Sequence, residues 1–557
     1  MEIKTLTAGL SVSAQILPTD IQAIKDAGFR AIICNRPDGE GADQPTFEEI
    51  AKAARKAGID TANLPVVSGK VTDEDAKAFD KTLSALPGPV LAYCRTGTRS
   101  ATLWSLAQAG QRSLADILAA TKAAGYDMGG VVRRIVNGGK TPTDTGDASY
   151  EIVIVGAGAG GIAAAASLKA RKPGLEIAII DPADIHYYQP GWTMVGGGIF
   201  EAQETARTMG SLIPKGVHWI QAAVAAFEPE NNAIILDGCR VVKYKRLIVC
   251  PGIKLDWNQI EGLVETLGQN GVTSNYRYDL APYTWKLVEG MKRGRAIFTQ
   301  APMPIKCAGA PQKAMYLSGD AWFRRGVLKN IDIQFNNAGG VLFGVKDYVP
   351  ALMEYVKKYD AHLNFFHNLV AVDGPAKKAW FDVAKPDTPV ERIETEFDMM
   401  HVCPPQTAPD FIRVSPLADA AGWVDVDQAT LRHKTYDNVW SLGDVMNAPN
   451  AKTMAAARIQ APIVAENIIA DMRGRSPVAQ YNGYGSCPLT VERGKIVLAE
   501  FGYGGTMLPS FPKVIIDGTK PSRAAWFLKE KMLPPIYWKG MLKGREWMAR
   551  PEKIAAE

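Results

Sequence analysis

Seven cysteines in 557 residues form an odd, scattered set. No disulfide framework is expected from so few, and a reducing compartment follows, in which each cysteine is read singly as core or as chemistry. Long hydrophobic runs are missing too; none approaches the roughly 20 residues that span a bilayer. The first residues, Met1-Glu-Ile-Lys-Thr-Leu-Thr-Ala8, lack the apolar core of a signal peptide. Charge of one sign is scarce: 63 Lys and Arg against 58 Asp and Glu leave +5, too little over this length to favour nucleic acid. No metal site is expected. The remainder, 47% hydrophobic and 22% charged, is ordinary for globular chains, and the length calls for several domains.

The chain is organised around residues 150–181. A β-branched run, Glu151-Ile-Val-Ile-Val155, feeds Gly156-Ala-Gly158-Ala-Gly160-Gly161. An alanine-rich helical stretch follows, then an apolar strand ending at Asp181. Gly156 permits the tight turn, Gly158 lets backbone approach a pyrophosphate, and Gly161 lets helix pack on strand. The helix N-terminus offers free N–H groups to that pyrophosphate. Asp181 stands where an acid accepts a ribose 2′-OH, so a dinucleotide is expected here. No second glycine fingerprint follows the strand at Thr299, which argues against NADH. The Cys-x4-Cys of flavin disulfide reductases is also missing from the first helix.

Residues 1–136 read as a separate α/β unit, followed by a polar linker over 137–149. Ala31-Ile-Ile-Cys34 and Val90-Leu-Ala-Tyr93 are short buried strands, with helical spacing over 21–27, 47–57, 73–86 and 101–109. The second strand runs into Cys94-Arg95-Thr96-Gly97-Thr98-Arg99-Ser100. A cysteine in a strand–loop–helix turn faces converging N–H groups, which favour a thiolate and bind an oxyanion. Arg95 and Arg99 add positive charge. This unit resembles the tyrosine-phosphatase-like family found fused to β-lactamase-like hydrolases, on Ser13-Ala-Gln15, Asn35-Arg-Pro-Asp-Gly-Glu40 and the Cys94 loop. Tyrosine phosphatases carry arginine six residues after the cysteine, where this chain has Ser100. Arg99 at five residues is similar to the loop of rhodaneses, which carry sulfur as a persulfide. Asp38 is open to two readings, a general acid or a turn residue.

Beyond the fingerprint, Asn438-Val-Trp-Ser-Leu-Gly443-Asp444 is a short strand ending in Gly-Asp. In two-fingerprint flavoproteins such an aspartate holds the ribityl chain. Ala451-Lys452-Thr453 then opens a helix whose positive end would face a reduced flavin. His186-Tyr-Tyr-Gln189-Pro-Gly-Trp-Thr193, Ile305-Lys-Cys307-Ala-Gly-Ala-Pro-Gln-Lys313, Ala418 to Val426, Leu442-Gly-Asp444 and Tyr484-Gly-Ser-Cys487-Pro-Leu489 together resemble mitochondrial-type sulfide:quinone oxidoreductases over about 150–548.

The resemblance implies two Rossmann-like domains, FAD, sulfide as donor, a quinone as acceptor, and a redox pair of cysteines. It places Gly156, Gly158, Gly160, Gly161, Asp181, Gln189, Asp444 and Lys452 at the cofactor. The first redox cysteine matches Cys307, which would hold the sulfur. The second is taken to follow Gly-Asp directly, where this chain has Val445. Either Cys403, preferred over Cys250, replaces it or Cys307 works alone; Cys34, Cys239 and Cys487 are read as core. The expected organisation is a flavoprotein over 150–505, with FAD-binding parts at 150–265 and 405–505 and a second Rossmann-like part at 266–404. A tail over 506–557 follows. From Ser522 to Arg550 the tail mixes basic with bulky residues and is split by Pro534-Pro535, suiting either a membrane interface on the cytoplasmic side or packing on the flavin domain.

Three functions stay open. One is sulfide or persulfide oxidation to a quinone, with sulfur passed to a small thiol or to a sulfur-carrying Cys94. Another is a flavin-bound sulfur relay or sensor. The third is a phosphatase joined to a flavoprotein.

Overall fold

The structure is a computed structural model describing residues 2–41, 44–141 and 148–554. Of the expected linker, 142–147 lie outside the described residues. The chain divides into two compact units, one of Met1–Ser149, Ala223–Lys243 and Val414–Pro416, the other of Tyr150–Ala222, Tyr244–Arg413 and Leu417–Glu557.

The first unit is α/β. Its sheet runs in the order Ile3–Thr7, Leu10–Ser13, Val90–Tyr93, Ala31–Cys34, Asp60–Asn63. The first pair is antiparallel and the rest parallel. Strand alternation sorts the two central strands into two cores: Ala31, Ile33, Val90 and Ala92 join one, Ile32, Cys34, Leu91 and Tyr93 the other. Helices cover both faces, and two of them start on capping boxes, Thr46 with Glu49 and Thr72 with Asp75. The helix after Cys94 spans Thr98–Ala107, three residues earlier than its apolar spacing indicates. Gly97, at φ +89°, supplies the left-handed residue that lets it begin there. Residues 223–243, read from sequence as part of the nucleotide-binding region, group with this unit. Their Ala226 and Ile235 pack on Val132, and Glu228 pairs with Arg133 at 3.1 Å.

The second unit is built on two parallel sheets. In one, Val217–Ile220, Ile177–Ile180, Ala148–Val155 and Val241–Val249 follow in order, and Val439–Ser441 adds in parallel to the last. The apolar strand Ala148–Val155 leads through the glycine turn into the helix Ala159–Arg171. In the other sheet the order is Val272–Thr273, Met399–His401, Gly294–Gln300, Ile331–Asn337, Ala361–Phe365. Its helix Ala310–Arg324 begins where the Cys307 loop ends. A hairpin, Gly485–Glu492 with Lys495–Phe501, packs on that helix through Leu489, Val491, Val497 and Ala499.

The tail is not split at Pro534-Pro535. Helical winding runs from Arg523 to Lys543, and its turns widen to π geometry at Leu528–Met532 and Ile536–Gly540, on either side of the prolines. Prolines lack the N–H and crowd the preceding turn, so the chain relaxes to a wider one instead of breaking. One face is packed, with Trp526, Leu528, Lys529, Tyr537, Met541 and Leu542 buried.

Candidate active site

One cavity of about 430 Å³ in the second unit is lined by Gly158, Gly160, Asp181, Gln189, Cys307, Asp444 and Lys452. Six of the eight residues expected at a cofactor line this space together with Cys307, while Gly156 and Gly161 do not. At the glycine turn, a Cβ on Gly161 would lie 1.8 Å from the Gly156 carbonyl oxygen, so only glycine lets the helix close onto the strand. Gly158 has nothing within 4 Å of its Cβ position, which leaves the cradle open to a phosphate. The Asp181 carboxylate fixes the turn by accepting the Ala157 N–H at 2.7 Å and the Ala183 N–H at 2.9 Å.

At the far side of the cradle, Asp444 sits in a 3-10 turn, and burial raises its carboxyl pKa against the pull of Lys452 and Lys306. Lys452 donates to the carbonyls of Asp444 at 2.6 Å and Met446 at 2.9 Å, so its amino group braces this turn. Burial lowers its pKa to about 8. The helix beyond it spans Met454–Asp471 and is capped by Thr453. Gln189 accepts from Lys306 at 2.7 Å. These residues fit a flavin dinucleotide: a phosphate cradle with an acid beside it, and a buried second acid flanked by lysines.

Cys307 lies in a tight loop. Its φ is +48°, its N–H donates to the Lys452 carbonyl at 2.9 Å, and its own carbonyl accepts from Ala310 at the start of the following helix. The sulfur facing it is Cys487, at 3.6 Å. Cys487, read as core, is indeed buried in that core but also lies in contact with the Cys307 sulfur, whereas Val445, where the resemblance places the second cysteine, is simply buried. Gly309 makes the approach possible, because a Cβ there would stand 2.5 Å from the Cys487 sulfur.

Cys403, the expected substitute, packs with Tyr276, Ala301, Ile305 and Ala310 near Cys307, but its thiol lies by Gln406 and the Pro404 carbonyl. Burial pushes its pKa up to about 11. The motif holding Cys487 was visible in the sequence. Its chemistry was not, because the contact spans 180 residues.

The hydrogen bond from Cys487 and the positive charge of Lys313, whose Nζ is 3.1 Å away, hold the Cys307 thiol well below its usual range despite burial. The same bond, with burial, drives Cys487 well above its own. The pull is therefore toward a thiolate at Cys307 rather than at Cys487. A second cation comes from the tail, unforeseen from sequence. Lys529 is buried beside the pair and donates to the Pro190 carbonyl at 3.2 Å. Burial, then repulsion from Lys313, lowers its pKa to about 7. Tyr537, also from the tail, meets buried His186 through a 2.5 Å hydrogen bond.

In the first unit, Cys94 is buried at its strand end and accepts the Gly97 N–H at 3.1 Å. Arg99 is buried and committed elsewhere. It pairs with Glu40 at 2.9 Å and donates to the carbonyls of Val66 at 2.6 Å and Asn35 at 3.3 Å. Arg36 shares Glu40 at 2.9 Å. Ser100 donates to the Asn35 side chain. Asp38 accepts the Phe47 N–H at 2.8 Å, as a turn residue does.

The family model described as "Beta-lactamase hydrolase-like protein, phosphatase-like domain" matches residues 2–111, and that described as "Pyridine nucleotide-disulphide oxidoreductase" matches 150–284. The chain is 42% identical over 396 residues to the mitochondrial sulfide:quinone oxidoreductase of Mus musculus, covering 71% of this chain and 87% of that one. It is 34% identical over 130 residues to a beta-lactamase hydrolase-like protein of Agrobacterium fabrum, covering 23% of this chain and 30% of the relative. Among solved structures, the sulfide:quinone oxidoreductase of Aquifex aeolicus aligns with a TM-score of 0.61 at 18% identity, over 73% of this chain and 98% of that one. That last likeness speaks for the fold alone.

Proposed function

The chain belongs to the sulfide:quinone oxidoreductases and carries a phosphatase-like domain ahead of that part; we propose that it oxidises sulfide through a Cys307–Cys487 disulfide, with FAD bound and a membrane quinone as electron acceptor. The observation carrying this is the 3.6 Å contact between Cys487 and Cys307, which lines the cavity that also holds the dinucleotide cradle.

In the oxidised pair, hydrosulfide attacks one sulfur and the other leaves. The better leaving group is the sulfur whose thiolate is more stable. Cys307, with Lys313 at 3.1 Å, fits that role, so Cys487 rather than Cys307 takes the incoming sulfur. The S–S bond breaks as the Cys487–sulfur bond forms. A thiolate acceptor then removes the outer sulfur as a persulfide, leaving Cys487 reduced. Re-forming the disulfide from two thiolates releases two electrons. FAD, held by Gly158, Gly160 and Asp181 at one end and Asp444 at the other, would supply the two-electron carrier between that pair and the quinone. Lys313 and Lys529 hold negative charge at the sulfurs throughout.

Two features support a membrane-peripheral setting. Val514 is 93% and Ile515 61% exposed, beside Lys513 and Lys520, and Phe527 and Met532 are exposed along the tail. Among the described residues no helix is long and apolar enough to cross a bilayer. For the first unit the favoured role is sulfane-sulfur transfer by Cys94. Arg99 is spent on Glu40 and two carbonyls, which leaves the Gly97 N–H as the donor seen at the thiol and suits a persulfide better than a phosphate dianion.

Sulfide-dependent reduction of a soluble quinone by the purified flavoprotein tests the main reading. Activity should be lost in both Cys307→Ala and Cys487→Ala and kept in Cys403→Ala. Turnover by Cys487→Ala, or none by the wild type, would refute it.

A further inference from the structure

The hairpin that delivers Cys487 has two faces with different chemistry. Its register pairs Cys487 with Ala499 and Leu489 with Val497, and these side chains join the core beside the helix Ala310–Arg324. The alternate pairs are Ser486 with Glu500 and Pro488 with Leu498, and all four line the cavity. Strand alternation therefore separates a sulfur face from an acceptor face. The acceptor end is apolar, with Pro488, Leu498, Phe511, Leu528 and Leu533 on its walls.

One carboxylate interrupts that apolar wall. Glu500 is 5% exposed. It accepts from the Tyr484 hydroxyl at 2.6 Å, from the Ser510 hydroxyl at 2.5 Å and from the Ser510 N–H at 3.0 Å. A carboxylate withdrawn from water is costly even when bonded, and an apolar residue would fill the site more cheaply. Its surroundings suggest what it does. Tyr484 lines the cavity, and burial together with the Glu500 charge keeps its phenol protonated. Ser510 is part-exposed and adjoins the exposed Pro509, which opens a way to solvent.

We propose that Glu500, acting through Tyr484, supplies protons to the quinone reduced at this end of the cavity. The inference rests on the functional reading above. Reducing a quinone to its hydroquinone takes two electrons and two protons. The electrons come from the sulfur pair by way of the bound dinucleotide, and the sulfur face gives the quinone no proton. For each proton delivered, an O–H bond forms on the quinone oxygen as the Tyr484 O–H bond breaks. Water beside Ser510 gives a proton to the Glu500 carboxylate, leaving hydroxide, and Glu500 passes that proton to the phenolate, so the carboxylate ends as it began. Tyr484 is the group that would touch the quinone, and Glu500 recharges it.

Stopped-flow half-reactions on the full-length flavoprotein test this. Bound flavin is reduced either with sulfide or with dithionite, then mixed with a soluble quinone over a pH series in H2O and D2O. Glu500→Gln and Tyr484→Phe are expected to slow reoxidation at least tenfold and to change its pH profile and solvent isotope effect. Reduction by sulfide should stay at the wild-type rate in both, and in Glu500→Gln so should the Kd of a non-reducible quinone analogue read by fluorescence quenching. Reoxidation of Glu500→Gln at the wild-type rate across the pH series would overturn the proposal. So would an equal loss of analogue binding, because that marks a purely structural carboxylate. The dithionite arm tests Glu500 even in an enzyme inert to sulfide, a result that would instead refute the choice of donor.

Discussion

Replacing Lys529 by Met should make the protein more stable and its sulfur chemistry worse. Lys529 is 4% exposed, packed near a second cation, Lys313, and its pKa falls from 10.5 to about 7. The sign follows from proton counting. The unfolded chain holds the Lys529 proton up to pH 10.5, while the folded chain releases it from about pH 7. Between those values the unfolded state binds more protons, so stability rises with pH across the window. The gap of about 3.5 units corresponds to an upper bound of about 5 kcal/mol, fully present as a cost below pH 7 and gone above 10.5.

Methionine fills the volume of the lysine stem without charge, and forfeits one hydrogen bond to the Pro190 carbonyl, worth roughly 1 kcal/mol. A net gain of about 2–4 kcal/mol is expected near pH 6, shrinking toward zero near pH 10.5. Urea unfolding followed by flavin release at several pH values measures it. The Cys307 thiolate loses one of its cations in the same variant, so the pH profile of its alkylation should move upward and sulfide-driven flavin reduction should slow. A variant less stable than wild type near pH 6, or a gain that ignores pH, would refute the picture of a buried, strained cation.

Cys94→Ser should abolish persulfide or thiosulfate sulfur transfer while leaving sulfide-driven flavin reduction intact; efficient phosphotyrosine hydrolysis with no sulfur transfer would reverse the assignment. Charging the most exposed apolar pair, as Val514→Glu with Ile515→Glu, should weaken co-sedimentation with anionic vesicles at least tenfold, since each buried aliphatic side chain contributes about 1.5–3 kcal/mol. Unchanged sedimentation would show that this loop does not meet the bilayer.

The fingerprint at Gly156 was legible because its chemistry is local: strand, turn and helix are consecutive, and Asp181 reaches back only 24 residues to the Ala157 N–H. The α/β character of the first unit was legible for the same reason. Short four-residue strands buried on both faces leave little choice but a sheet covered on both sides. Arg99 shows where local reading stops. Its offset from Cys94 suggested an anion ligand, whereas its real partners, Glu40, Val66 and Asn35, come from two other strand ends.

Cys487 was read only in part, for a reason that also explains the architecture of the site. A cysteine alternating with Leu489 and Val491 in a β-hairpin looks like core, and its side chain does lie on the core-facing side of that hairpin. What sets it apart is the neighbour across that core, the loop entering the helix Ala310–Arg324, where glycine at the N-cap position 309 leaves room for two sulfurs to meet. Neither Gly309 nor Cys487 announces the other in sequence. The tail was read only in part: its alternation of basic and bulky residues was weighed as membrane against packing, and the winding that buries Trp526 and Tyr537 also carries Lys529 to the sulfurs. The hairpin and tail supply Cys487, the cation and the acceptor wall, and meet Cys307 from 180 residues earlier, with the pleat of the hairpin turning Cys487 to one side and Glu500 to the other. That pleat has a consequence for any mutation in the strand. A shift of register by one residue would exchange the faces, withdrawing the sulfur from Cys307 and placing the carboxylate in the core, so the two half-reactions must be lost together.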